Sequence, residues 1–268
     1  MSEKVRLDQL LFQKGFFDSR EKARRSIMAG VVFIDNQRVD KPGTKISENA
    51  VINIKENVLP YVSRGGLKLE KAIAEFNIKL DNNICLDIGA STGGFTDCML
   101  QNGAQKVFSI DVGYGQLDWK LRQDPRVICM ERTNIRYVEL ENIGGIEVDF
   151  ASIDVSFISL KLVLPVVKKL IKVGGEVVAL IKPQFEAGRD KVGKKGVVRD
   201  ILVHKDVVVE IVRYVRNLGF TIKGFSFSPI KGPEGNIEYL LHLKNSCDED
   251  NYSIEEIKTI IEKSHIEL

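Results

Sequence analysis

The chain has 268 residues, 39 Lys/Arg against 37 Asp/Glu, a net charge of +2 and 44% apolar residues. It is long enough to bury at least one substantial core and to form two domains, and the near-balance of charge excludes a uniformly basic nucleic-acid coat. The basic excess is local: residues 1–60 hold 11 Lys/Arg and 8 Asp/Glu, and the remainder has a net charge of about −1. The opening Met1-Ser2-Glu3-Lys4 leads into no signal-like apolar core, and no apolar run approaches a membrane span, so a cytoplasmic protein is expected. The cysteines Cys85, Cys98, Cys129 and Cys247 lack Cys-x-x-Cys spacing and lie mostly in apolar runs, which points to buried thiols. With His204, His242 and His265 scattered, neither a metal site nor a nucleophilic triad is expected.

In chain order, Leu7, Leu10 and Leu11 share one face of a short helix that ends by Gly15. Asp18 or Ser19 can cap a second helix, with Glu21 as a capping-box partner of Asp18, and Ala23 and Ile27 pack inward before Gly30. Its outer face carries Arg20, Lys22, Arg24 and Arg25, which, with Arg6, suit phosphate contacts to folded RNA, although a solvated helix face has the same composition. Residues 31–34, the turn Asp35-Asn36-Gln37 and residues 51–54 read as a small sheet. Arg6-Leu7-Asp8, Gly15, Ser19-Arg20-x-x-Ala23, Ile27-x-x-Gly30-x-Val32 and Lys41-Pro42 together resemble the S-four RNA-binding module, with Asp35-Asn36-Gln37 standing where that family carries Asn-Gly.

The pattern lapses between Glu56 and Tyr61 at Pro60, giving expected boundaries of 1–59 for the first domain, 60–66 for a linker, 67–246 for a second domain and 247–268 for a tail with a short helix at 253–263. Arg64 beside Gly65-Gly66 is a further candidate RNA contact, because the glycines permit close approach of a backbone. From Ile84 onward, apolar strands at 107–110, 127–130, 150–154 and 176–182 alternate with helical patterns, and 221–229 and 237–244 suit an antiparallel pair closing the sheet. The fold class expected is α/β, Rossmann-like, with a small N-terminal α+β domain.

The central stretch is Asp87-Ile88-Gly89-Ala90-Ser91-Thr92-Gly93-Gly94-Phe95, a strand, a glycine turn and a helix start, with Ser91 and Thr92 as candidate caps. Asp111 ends the next strand about 20 residues on, where a doubly wound sheet holds a ribose diol. The spacing is neither Gly-x-Gly-x-x-Gly nor a phosphate loop, and Asp87 would repel a pyrophosphate but suits a cationic ligand such as the amino-acid end of S-adenosylmethionine. Thr133-Asn134-Ile135-Arg136 is a candidate wall for the adenine, with Arg136 equally suited to RNA. Asp154 and Lys182 end apolar strands, so an ion pair between them is either structural or functional. Lys68 and Glu238, judged on spacing alone, read as surface residues.

Ser63-Arg64-Gly65-Gly66-x-Lys68-Leu69, the glycine turn, Asp154-Val155-Ser156-Phe157-Ile158-Ser159, Lys182-Pro183-Gln184-Phe185-Glu186 and the loop 188–200 occur in the order found in the TlyA or haemolysin A family, which the chain resembles over nearly its whole length. That family's catalytic domain is similar to the FtsJ ribose methyltransferases. The resemblance implies S-adenosylmethionine-dependent 2′-O-methylation of ribosomal RNA, at cytidine, with ribosomal RNA or subunits as partners and no membrane. It implies a catalytic set of Lys68, Asp154, Lys182 and Glu238, with Lys182 as candidate base, and places the methionine end of the cofactor at residues 89–95 and its ribose at Asp111. The like charge of Lys68 would favour a neutral Lys182 and Asp154 its ammonium, a balance that spacing leaves open. A non-enzymatic RNA-binding assembly factor with a cofactor-sensing domain is the alternative, and the oligomeric state is open.

Overall fold

The computed structural model describes residues 4–54, 59–193, 195–232, 234–246 and 248–268. Glu56, Lys194, Pro233, Cys247 and the opening Met1-Ser2-Glu3 lie outside them. Two compact units divide at Pro60: Met1–Pro60 and Tyr61–Leu268.

The first unit runs β1 (Lys4–Arg6), α1 (Leu7–Gln13), α2 (Arg20–Met28), β2 (Val32–Ile34), β3 (Gln37–Arg38), β4 (Lys45–Ser47) and β5 (Ile52–Ile54). Ser19 is the cap of α2, accepting the N–H of Lys22, so the Asp18 alternative falls away. The two helices pack through Leu7, Leu11, Ala23 and Ile27 onto Val32 and Ile34. β2 and β3 form a hairpin whose turn residues Asp35 and Asn36 sit at φ +50° and +65°. Asp and Asn tolerate that left-handed geometry, so the turn keeps its shape without glycine.

The second unit comprises α3 (Gly66–Phe76), β6 (Ile84–Ile88), α4 (Gly94–Gln101), β7 (Lys106–Ile110), α5 (Trp119–Arg122), β8 (Val127–Met130), β9 (Val148–Ile153), α6 (Leu160–Leu170), β10 (Ile171–Ile181), α7 (Pro183–Glu186), α8 (Ile201–Asn217), β11 (Thr221–Phe227), β12 (Tyr239–Lys244) and α9 (Ile254–Glu267). Its seven-stranded sheet has the order β11-β12-β10-β9-β6-β7-β8. The pairs among β6 to β10 are parallel, and β12 is antiparallel to both neighbours. The expected antiparallel pair is present, but its later strand inserts between β10 and β11, leaving β11 at the edge.

Alternating strand residues feed two cores, as a sheet covered on both faces requires. Leu86, Ile88, Val177 and Ala179 pack with Val163 of α6, Val208 of α8 and Ile257 of α9; Cys85, Val178 and Leu180 pack with Leu69 of α3 and Met99 of α4. Residues 61–66, expected as a linker, pack within this unit: the Val62 N–H donates to Asp97 at 2.9 Å, the Tyr61 hydroxyl meets Glu70 at 2.9 Å, and α3 begins at Gly66. The C-terminal segment is equally integral, since α9 runs to Glu267 and buries Ile257 and Ile261. Cys85 and Cys98 are buried, whereas Cys129 is exposed.

Candidate active site

The carboxyl ends of the parallel strands converge on one rim, where an open α/β sheet receives its ligand. β6 delivers Asp87 and the glycine turn, β7 ends before Asp111, β9 before Asp154 and β10 before Lys182. Gly89 sits at φ +85°, and a Cβ there would lie 2.4 Å from the carbonyl oxygen of Asp154, so this crossing of two strand ends requires glycine.

Beneath the turn, Asp87 lies side by side with Ser109 and Ser152 on neighbouring strands. It is fully buried; Oδ2 accepts the Thr96 N–H at 2.8 Å and the Thr96 hydroxyl at 2.6 Å, and Oδ1 accepts the Ser152 hydroxyl at 3.2 Å. Burial pushes its carboxyl up to about 6, against the pull of the Thr96 and Ser152 hydrogen bonds. Asp87 therefore caps α4 from the preceding strand. Ser91 and Thr92, expected as caps, do not: Gly93 is the cap residue, and Ser91 has turned to φ +49°. Ser91 instead donates its N–H to Asp111 Oδ2 at 2.8 Å, while Gly113 donates to Oδ1 at 2.7 Å.

Above the turn lies a cavity of about 700 Å³. Gly89, Ser91, Asp111 and Asp154 of the expected set line it, joined by the stretch 133–136, Gln116 and the loop 155–159. Asp87, Ala90, Thr92, Gly93, Gly94 and Phe95 do not; Gly93, Gly94 and Phe95 are buried in the root of α4. The loop 155–159 was legible as a motif, but its place as a cavity wall follows only from the strand order.

Behind the cavity wall, four charges form one chain, of which Asp154 lines the cavity while Lys68, Lys182 and Glu238 do not. Lys182 Nζ lies 2.5 Å from Asp154 Oδ1, Asp154 Oδ2 lies 3.3 Å from Lys68 Nζ, and Lys68 Nζ lies 2.6 Å from Glu238 Oε2. Lys68 and Glu238, which spacing alone suggested were surface residues, are 7% and 1% exposed. α3 carries Lys68 inward, and the β10–β12 pairing places Glu238, just before β12, beside the end of β10. Burial disfavours the Lys68 ammonium, but Asp154 and Glu238 outweigh it and hold the group above the ordinary lysine value. For Asp154, burial is likewise outweighed by Lys68 and Lys182, which hold its carboxyl below the usual carboxylate range. Asp154 thus screens the two ammonium groups from each other. Lys182 also approaches Ser156 Oγ at 3.4 Å.

In the first unit, Arg6 and Arg20 converge on Asp8, which the sequence reading named only within the Arg6-Leu7-Asp8 motif and gave no role. Asp8 is buried and accepts from Arg6 at 3.0 Å through both Nε and Nη2, and from Arg20 Nε and Nη2 at 3.2 and 3.1 Å. The Arg6 hydrogen bond, ahead of the opposing effect of burial and aided by Arg20, lowers the Asp8 carboxyl below its ordinary value. Both guanidinium groups remain about half exposed. Lys22 pairs with Asp18 and Arg25 with Glu21 on the same helix, and Arg24 is exposed. Arg64 belongs to the other unit. Among the described residues no helix is long and apolar enough to cross a membrane, and no group of His, Cys, Asp and Glu could hold a metal ion.

Residues 61–245 match the family of FtsJ-like methyltransferases and residues 5–52 the S4 domain. A Bacillus subtilis protein carried under the provisional name rRNA methyltransferase YqxC is 52% identical over 98% of this chain and 95% of its own. The 16S/23S rRNA (cytidine-2′-O)-methyltransferase TlyA of Mycobacterium tuberculosis is 43% identical over 92% of each chain. A solved structure from Streptococcus thermophilus, provisionally titled a hemolysin, covers 100% of this chain and 98% of its own at 49% identity and a TM-score of 0.79. The chain belongs to the TlyA or haemolysin A family, in which an S4 domain precedes an FtsJ-like methyltransferase.

Proposed function

We propose that the protein transfers a methyl group from S-adenosylmethionine to the 2′-oxygen of a cytidine in ribosomal RNA. The observation that carries this reading is the Lys182–Asp154–Lys68–Glu238 charge chain, which meets a cavity headed by a glycine turn through Asp154. The residues present suit the cofactor. The cavity has the volume of a small-molecule site, and the Asp111 oxygens, each taking one backbone N–H, retain lone pairs for a ribose diol. Asp87 acts from below by holding α4 and the turn in shape.

When bound, S-adenosylmethionine supplies an electrophilic methyl. A ribose hydroxyl is a poor nucleophile, so the chain's own work is to place that oxygen and remove its proton. Lys182, once its ammonium has released a proton, accepts the hydroxyl proton while the oxygen attacks, and Asp154 stabilises the ammonium that re-forms. Glu238 and Asp154 together hold Lys68 as a fixed positive charge beside the developing oxyanion. Extruding a nucleotide from folded RNA costs a few kcal/mol, a reason for the same chain to carry a separate RNA-gripping unit. Its Arg6 and Arg20, set side by side by Asp8 and about half exposed, are the candidate phosphate contacts of that unit.

The test is transfer of labelled methyl to small and large ribosomal subunits lacking the modification, with ribose mapping of the product. Wild type should label a 2′-oxygen, and Lys182→Ala should lose about 100-fold or more in rate while retaining cofactor affinity in calorimetry. Cofactor binding without transfer to either subunit would favour the assembly-factor reading.

A further inference from the structure

One side chain joins the two strand-end motifs without belonging to the charge chain. Glu186 ends α7, four positions after Lys182, and turns its carboxylate onto the start of α6. Its Oε2 accepts the Ser159 hydroxyl at 2.6 Å, and its Oε1 accepts the Leu160 N–H at 2.8 Å. Ser159 is itself the cap of α6, with its Oγ accepting the Lys161 N–H at 3.2 Å. The first N–H groups of a helix have no partner within it, and an anion placed there satisfies them and complements the helix dipole. The segment that carries Lys182 therefore supplies the cap of the helix that follows Asp154.

The consequence lies in the loop between. Residues 154–159 all line the cavity, and both ends of the loop are tied. At the front, the Asp154 N–H donates to the Ile88 carbonyl at 2.9 Å and its carboxylate is shared by two lysines. At the back, Ser159 and Leu160 are held by Glu186. Midway, Phe157 stands at φ +64° and is 90% exposed, its ring 4.9 Å from that of Phe185, the neighbour of Glu186 in sequence. A bulky residue keeps a left-handed backbone only where its surroundings over-determine it, and here the two tethers do so.

We propose that Glu186 is a positioning residue for the methyl acceptor: by clamping Ser159 and Leu160 to α7, it holds the Ser156–Phe157 turn, the wall nearest Lys182, in register with that amine. The inference rests on the methyl-transfer reading. It places the specificity of the clamp on the acceptor side, because Ser156 reaches Lys182 while the candidate diol ligand Asp111 is held by Ser91 and Gly113, independently of Glu186.

The experiment measures kcat and KM for unmodified ribosomal subunits, with cofactor affinity by calorimetry, for wild type, Glu186→Ala, Glu186→Gln and Ser159→Ala. Glu186→Ala should lose about 100-fold in kcat/KM for the subunit, the effect of a misplaced reacting group, with cofactor affinity unchanged. Glu186→Gln, which can still accept from Leu160 and donate to Ser159, should recover most of that loss. Unchanged turnover in Glu186→Ala, or a loss matched by an equal loss of cofactor affinity, overturns the proposal. Should Glu186→Ala fail to fold, the cycle of Glu186→Gln with Ser159→Ala decides: non-additive losses support the clamp and additive ones overturn it. Absence of transfer by wild type overturns the underlying reading, and this inference with it; transfer by wild type with an indifferent Glu186 overturns the inference alone.

Discussion

Asp87 and Asp154 are two strand-end carboxylates that their surroundings push in opposite directions. Asp154 has two lysines against it, and its carboxyl is lowered; Asp87 has only hydroxyls and one N–H, and burial raises it to about 6. The linkage differs accordingly. Asp154 contributes stability that is lost only as pH falls through its lowered value, below 3.8, and Lys68 contributes stability that is lost only as pH rises through its raised value, above 10.5. For Asp87, the protonated form is the one favoured by folding, so its contribution is present below 3.8 and is lost as pH rises through about 6. Asp87→Asn keeps one oxygen to accept from Thr96, replaces the other with an amide N–H that can donate to Ser152 Oγ, and removes this titration. Relative to wild type, the variant should therefore gain on the order of 3 kcal/mol in unfolding free energy between pH 3.8 and 7, from the size of the shift. Urea titrations at the two ends of that range measure it, and parallel curves for the two proteins would contradict it. Sequence position marked Asp87 as the acid before the glycines; its partners Thr96 and Ser152 come from a helix and another strand, and no spacing rule pairs them.

At the scale of elements, local signals located most strands to within a residue or two and gave their parallel and antiparallel pairing, but not the order in which they lie in the sheet. β8 has the bounds its apolar run suggests, and Asp154 and Lys182 stand one residue past β9 and β10. The insertion of β12 between β10 and β11 was not legible, because register among strands distant in the chain is set by which apolar faces fit, and both faces of this sheet are buried. That insertion is what brings Glu238 to Lys68. The last helix shows the same limit: Ser253 and Glu256 form a capping box readable in the sequence, while burial of Ile257 and Ile261 against the sheet is a tertiary fact. Ser253→Ala should therefore destabilise the second unit as a whole, by about 1 kcal/mol in chemical denaturation, rather than fray an independent tail. A change confined to helix content with the unfolding midpoint unmoved would show the helix to be an appendage.

For the whole molecule, the proposed reading assigns two kinds of work to the two compact units. The net +3 of residues 1–60 is small, and on the proposed reading its placement matters: Arg6 and Arg20 share Asp8, and Arg24 is exposed on the same helix as Arg20. RNA affinity should fall with salt, and each phosphate contact removed should reduce the log–log slope by about 0.7 to 0.9. Arg20→Ala combined with Arg24→Ala should lower both affinity and slope, with cofactor affinity unchanged; a slope equal to that of wild type would remove these arginines from the RNA face.

What the chain determined by itself was local: the glycine turn with its acid before and Asp111 after, the polar residues ending apolar strands, the capped helices, and the order of motifs that places it in its family. These depend on residues near each other in sequence, where backbone conformation and capping are decided. The tertiary structure alone decided which of those residues meet. It sent Asp87 under the turn and Asp111 to its rim, drew Lys68 and Glu238 out of the expected surface into one charge chain with Asp154 and Lys182, and set Glu186 on the helix that follows Asp154. The physical reason is that a buried charge is tolerated only beside a partner, and its partner here is separated from it by as many as 170 residues along the chain.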